Sequence, residues 1–130
     1  MSQPPAPLKV SQFLADKRLA GLELTLSVAS PVGLERPILS PRLQKPGLAL
    51  AGFLASLRPG RVQVIGASEA EFLKTLPEAT RQERVASLVA STPPLVVVSK
   101  GNWETAELFA NFCKAHEVVL AVSPANTSEV

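Results

Sequence analysis

The run LVVVS at residues 95–99 constrains this chain more than any other stretch. Its four apolar residues leave no side that could face water, so as a strand it needs cover on both faces. Two further segments read as strands, VQVI at 62–65 and VVLAV at 118–122. Helical patterns lie between them. Right-handed crossovers make three such strands parallel and put the turns at 66–68, 99–101 and 123–124 on one edge. Open α/β sheets bind ligands on that edge. The expected fold class is α/β: three layers, with a small, mostly parallel sheet flanked by helices.

Punctuation sets the other elements. Ser11 is placed to cap a short helix carrying Phe13 and Leu14, and Gly21 separates it from LELTLS at 22–27, whose alternation marks a half-buried strand. Pro31, Gly33, Pro37, Pro41 and Pro46 follow closely, so residues 32–45 read as turns with at most short edge strands and no helix. Leu50, Leu54 and Leu57 recur at helical spacing, predicting a short helix that Gly52 weakens. SEAE at 68–71 reads as a capping box opening a helix through Leu76. Pro77 then starts a second helix to about Ala90, with Val85, Leu88 and Val89 inward and Arg81, Glu83 and Arg84 exposed. Asn102 caps a last helix to about His116, and Trp103 beside it reads as a helix-start residue stapled to the core.

With 130 residues the chain has room for one compact domain. Hydrophobic residues make up 46% and charged ones 18%, the balance of an ordered globular chain. Residues 1–7 hold three prolines and no basic residue, which describes a loose tail rather than a secretory signal or transit peptide. The longest nearly apolar run, residues 47–57, falls well short of the ~20 residues a membrane helix needs. A cytoplasmic location with no membrane partner is expected. Thirteen basic residues face 11 acidic ones, and a net charge of +2 implies no nucleic-acid partner.

No catalytic constellation stands out. Cys113 and His116 lie three apart, but Ala106, Phe109, Ala110 and Cys113 share the core period of one helix. That makes Cys113 a buried apolar residue and His116 a cation at a helix C-terminus. One cysteine and one histidine cannot fill a zinc site. Glu69 and Glu71 diverge on a helix and serve as cap and first-turn acids. No GxxxxGK[ST] loop occurs, so no ATP site of that kind is expected. One asymmetry is left: Arg36, Arg42, Lys45, Arg58 and Arg61 occur with no carboxylate between the first and the last, a composition that suits an anionic ligand.

KPGLALAGF at 45–53, RVQVIG at 61–66, Ser68 and Glu69, then Phe72 and Leu73, together resemble the N-terminal domain of HPr kinase/phosphorylase. In that family R-P-G-L-x-L-A-G-[FY] precedes R-[IV]-Q-[VL]-[LI]-G-x-x-E-x-x-F-L. TPPLVVVSKG at 92–101 is similar to the family's T-P-C-[IL]-[IV]-[IV]-T-R-G, and Thr127, Ser128 and Glu129 to the start of its linker. Lys45 stands where arginine is usual, Leu95 where cysteine is frequent, and Asn102 and Trp103 where the family is often proline-rich.

The resemblance implies a fold like the N-terminal UDP-substrate-binding domain of murein peptide ligases. It also implies a parent enzyme, a cytoplasmic hexamer in carbon catabolite control, whose ATP- and Mg-dependent kinase machinery lies beyond residue 130. The expected division is a proline-rich tail over 1–8, the α/β domain over 9–124 and the start of a linker over 125–130. On this reading the chain is a non-catalytic accessory domain with no cofactor, catalytic residue or metal of its own. Its partners are the kinase domain of the same protein and, through it, HPr. The alternative is a free-standing binder of an anionic metabolite such as a UDP-sugar or sugar phosphate. Arg42, Lys45, Gly47, Gly52, Gly66 and Lys100 are the candidate ligand residues.

Overall fold

A computed structural model describes residues 8–15, 23–39, 43–58, 60–99 and 102–124 of the chain. The apolar run becomes β5 (Leu95–Val98), buried at every position. It pairs in parallel with β4 (Gln63–Ile65) on one side and β6 (Val119–Val122) on the other. β2 (Thr25–Val28) adds to β6 in antiparallel fashion, giving a mixed sheet of order β2-β6-β5-β4.

From β4 to β5 to β6 the chain steps across the sheet in one direction. Two right-handed crossovers in one direction place their helices on one face. Here these are α4 (Ala67–Thr75) and α5 (Glu78–Ala90) in the first connection and α6 (Trp103–His116) in the second. Leu73, Val85, Leu88 and Phe109 pack there against Ile65, Val96, Val98, Leu120 and Val122. The alternate strand residues, Val64, Leu95, Val97, Val119 and Ala121, face the other way and need a second cover.

The N-terminal segment supplies it. β1 (Leu8–Lys9) pairs with β3 (Pro37–Ile38), and α1 (Val10–Leu14) and α2 (Pro31–Leu34) lie between them in sequence. Val10 and Ile38 are buried in this second cluster, with Phe13, Leu14, Leu24 and Leu34 packed around them. The result is the expected three-layer α/β arrangement.

Several local expectations are corrected. A helix does occur at 31–34, because Pro31 stands at its first position and the Ser30 hydroxyl accepts from Gly33 N–H at 3.0 Å. Helix α1 begins at Val10, ahead of Ser11, after Lys9 N–H donates to Gln12 Oε1. Leucine spacing over 50–57 does not yield one helix. α3 (Gly47–Leu50) ends before Gly52, whose φ of +116° diverts the chain into a single 3₁₀ turn at Leu54–Ser56. Helix α4 starts one residue before Ser68: Gly66 is the cap, and Glu69 reaches back to it. Pro77 precedes α5 as its cap rather than entering it. In β2 the register slips between Leu26 and Val28, leaving Leu26 48% exposed and only Val28 buried. Trp103 is 54% exposed and is not stapled to the core.

The two covers meet at one tight junction. Gly33 in α2 lies so close to the turn after α6 that a Cβ there would stand 2.5 Å from Glu117 O. Glu117 itself takes φ 54°, a left-handed conformation that costs a non-glycine residue ~1–2 kcal/mol. Gly33→Ala is therefore expected to lower stability by about 1–3 kcal/mol through overpacking. Glu117→Gly, at an exposed position, should raise stability by about 0.5–1 kcal/mol, after the entropy of the added glycine is counted. Urea midpoints at constant m-value measure both.

Candidate functional site

The C-terminal strand edge gathers Gly66, Ser99 and Ser123, as the pattern of turns required. Ser99 N–H donates to Ile65 O at 3.0 Å and Ser123 N–H to Val98 O at 2.8 Å, so the ladder continues one residue past the strands. Ligand crevices on such edges form where neighbouring connections leave toward opposite faces. Both connections here leave toward the same face, so these three strands contain no switch point.

At Gly66 the N-terminus of α4 has its own anion. The Glu69 carboxylate, on a residue 6% exposed, accepts from Gly66 N–H at 2.8 Å and from the Ser68 hydroxyl at 3.1 Å. Lys45 Nζ stands 3.2 Å from the same carboxylate. Gly47 lies alongside, where a Cβ would make an ordinary 3.8 Å contact with Glu69 Oε2. Lys45, Gly47 and Gly66 are thus brought together, around an internal carboxylate.

Gly52 belongs elsewhere. A Cβ on it would sit 2.8 Å from Arg84 Nη1, which donates to Leu50 O at 3.1 Å and closes the end of α3. Among the described residues, Arg84 is one of three arginines used this way. Arg81 donates to Leu73 O and Leu76 O at the end of α4, and Arg36 donates to His116 O and Glu117 O at the end of α6. Carbonyls that a helix end leaves unbonded attract such cations. Arg81 and Arg84 are accordingly half-buried rather than exposed. Arg42 and Lys100 lie outside the described residues.

Cys113 is buried on the core side of α6, and burial pushes its thiol up to about 12. His116 is exposed at the helix C-terminus, where Arg36 takes its carbonyl at 3.0 Å. Among the described residues, no group of three or more His, Cys, Asp or Glu is placed to hold a metal.

A different feature lies at the opposite, N-terminal edge of the parallel strands. A cavity of about 410 Å³ opens between the 3₁₀ turn, the start of β4 and the end of α5. Gln63, 2% exposed, lines it, and Gln63 Oε1 has no hydrogen-bond partner. The sequence reading passed over Gln63 as one residue of a strand. A polar side chain inside a strand covered on both faces was the available signal, since every such group must find a partner.

The fold and these features define a small α/β domain without a recognisable catalytic centre among its described residues. Its fold is shared with the CBS and DRTGG domains of the regulatory region of Clostridium perfringens pyrophosphatase, solved with the activator diadenosine tetraphosphate. The TM-score is 0.59 at 16% identity over 98% of this chain and 49% of that one. At the sequence level, residues 8–130 match the family described as HPr Serine kinase N terminus, and the chain belongs to it. It is 39% identical over 90 residues to HPr kinase/phosphorylase of Geobacter sulfurreducens, covering 69% of this chain and 28% of the relative. It is 36% identical over 74 residues to that of an Exiguobacterium strain, covering 57% and 24%. The alignments span about a quarter of the length of these curated relatives. No described helix is long and apolar enough to cross a membrane.

Two outcomes follow from this geometry. Glu69→Ala removes the acceptor for Gly66 N–H and should cost about 1–2 kcal/mol, whereas Glu69→Gln, which can still accept that bond, should recover most of it in thermal melts. The Cys113 thiol should resist a thiol reagent at pH 8 until denaturant is added. The folded chain holds this proton to about 12, while the group's ordinary value is 9.0. Its contribution to stability is therefore complete below pH 9 and declines as pH rises toward 12, as denaturation at stepped alkaline pH would register.

Proposed function

We propose that the chain serves as a non-catalytic accessory or regulatory domain at the N-terminus of an HPr kinase/phosphorylase. That enzyme phosphorylates and dephosphorylates a serine of the phosphocarrier HPr in carbon catabolite regulation. The family match over residues 8–130, against relatives about four times as long as the aligned segments, is the observation that carries this reading. A phosphoryl-transfer site needs a phosphate-cradling loop, a metal and a positioned base. Nothing in the sequence supplies the first, and the described residues gather no group of three or more His, Cys, Asp or Glu that could hold the second. ATP, Mg and HPr would then be bound by the kinase part of the same protein, in the cytoplasm, with the α/β domain taken as 9–124 and a linker beginning at 125.

A second reading, binding of a small anionic metabolite, draws on the cation-rich segment from Arg36 to Arg61. Arg36 is engaged at the end of α6 and Lys45 at Glu69, which shifts attention to Arg58 and Arg61.

The first reading is tested by incubating the purified chain with HPr, ATP and Mg, and by deleting its counterpart from the Geobacter sulfurreducens relative. No phosphoserine is expected from the chain alone, and phosphoryl transfer should persist in the truncated enzyme. Phosphorylation of HPr by the chain alone would overturn the reading. So would loss of all transfer in a truncated enzyme that remains folded.

A further inference from the structure

We propose that the helix-covered face of the domain pairs with a second copy of the same chain. Each copy sets an apolar knuckle at residues 51–55 against a hollow between α4 and α6 on the other. The inference goes beyond the accessory-domain reading and does not depend on it.

The knuckle is one half of the surface. Residues 51–55 are all exposed, and none has a polar atom in its side chain. With Leu48 they hold three large apolar side chains in water: Leu48 is 65%, Phe53 60% and Leu54 44% exposed. An exposed apolar run of this kind is a defect unless something covers it. This one is built to keep its shape. Gly52 N–H donates to Ala49 O at 3.0 Å and Phe53 N–H to Leu48 O at 2.9 Å, while Ser56 and Leu57 N–H donate to Phe53 O and Leu54 O at 3.1 and 3.0 Å. Arg84 and Gln44 fasten its two ends, at Leu50 O and Ser56 O.

The other half is a hollow of about 270 Å³ where α4, the start of α5 and the first turns of α6 meet. Ala70, Leu73 and Leu108 give it apolar walls, and the exposed Glu104 and Glu107 stand at its rim. Trp103, 54% exposed, adjoins them at the start of α6. The cations at the hollow are already engaged: Lys74 pairs with Glu71 at 3.3 Å, and Arg81 holds the carbonyls of Leu73 and Leu76. Glu104 and Glu107 join no ion pair between described residues, and neither does Arg58, exposed beside the knuckle. An apolar projection with a spare cation thus matches an apolar hollow with two spare carboxylates, the complementarity that fixes the register of an interface. The two sites flank α5. Gly52 lies against Arg84 and the hollow against Arg81, about one helical turn apart. A two-fold axis beside α5 makes both contacts at once and leaves no open end.

The test is sedimentation equilibrium of the full chain from about 1 μM to about 1 mM, the span from a firm complex to a very weak one. A monomer–dimer equilibrium is expected, weaker at high salt. Phe53→Ser, Arg58→Glu and the double variant Glu104→Lys with Glu107→Lys should each raise the dissociation constant about tenfold or more. All four positions are exposed, and melting curves establish that each variant is folded. Mixing the Arg58→Glu chain with the double variant should restore pairing, because in the mixed pair both contacts again join opposite charges. A variant that merely disturbed the fold would not be rescued in this way. A chain that stays monomeric at about 1 mM would overturn the proposal, as would a mixture that fails to pair. Growth beyond the dimer would overturn the two-fold arrangement. A dimer that survives Phe53→Ser and Arg58→Glu but is lost in Leu26→Lys would overturn it as well, and would place the contact on the open edge of β2.

Discussion

Everything in this domain answers to the need to cover β5 on both sides. Val96 and Val98 point to one face, Leu95 and Val97 to the other, and all four are buried. Burying one such side chain is worth about 1.5–3 kcal/mol, so neither face can be left open in a chain of marginal total stability. The crossover helices can cover only the face to which right-handed connections send them. The other face falls to the N-terminal segment, whose short elements would have little reason to hold their shape without it.

Much of the half from β4 onward was legible in the sequence because its signals are local and periodic. Val85, Leu88 and Val89 mark the inner stripe of α5 without reference to anything else, and the β-branched run marks β5. The N-terminal half resists such reading. Pro31 signals a turn and also a helix start, and only the Ser30 hydroxyl bond to Gly33 decides which. At Gly52 the spacing of leucines argued for continuity, but the backbone turns left-handed there and Arg84 fills the space beside it.

The candidate site was less legible still, for a physical reason. Cations in a sequence carry no mark of their partners, and the partners here are distant: Lys45 finds Glu69, Arg84 finds Leu50, and Arg36 finds the end of α6. Among the described residues three arginines, two that read as exposed and one that read as a cation for an anionic ligand, are spent on helix-end carbonyls, where their fork of donors suits them better than lysine. The turn at Gly66 looked open to an anion because nothing in local spacing says that Glu69 folds back onto it and is then matched by a lysine from another segment. Gln63 gave no more than a polar letter in an apolar run.

The placement of β2 against β6 has a consequence for how the chain is made. Thr25 and Leu26 pair with Val122 and Ala121, and Arg36 waits for the carbonyls of residues 116 and 117. A ribosome releasing the chain from its N-terminus thus delivers one whole layer long before the strand and helix end that anchor it exist. Until the last strand emerges, the apolar residues around Val10 and Ile38 have only β4 and β5 to rest on, and long-range closures of this kind fold slowly. The domain completes itself only when its final strand slides between two that are already waiting.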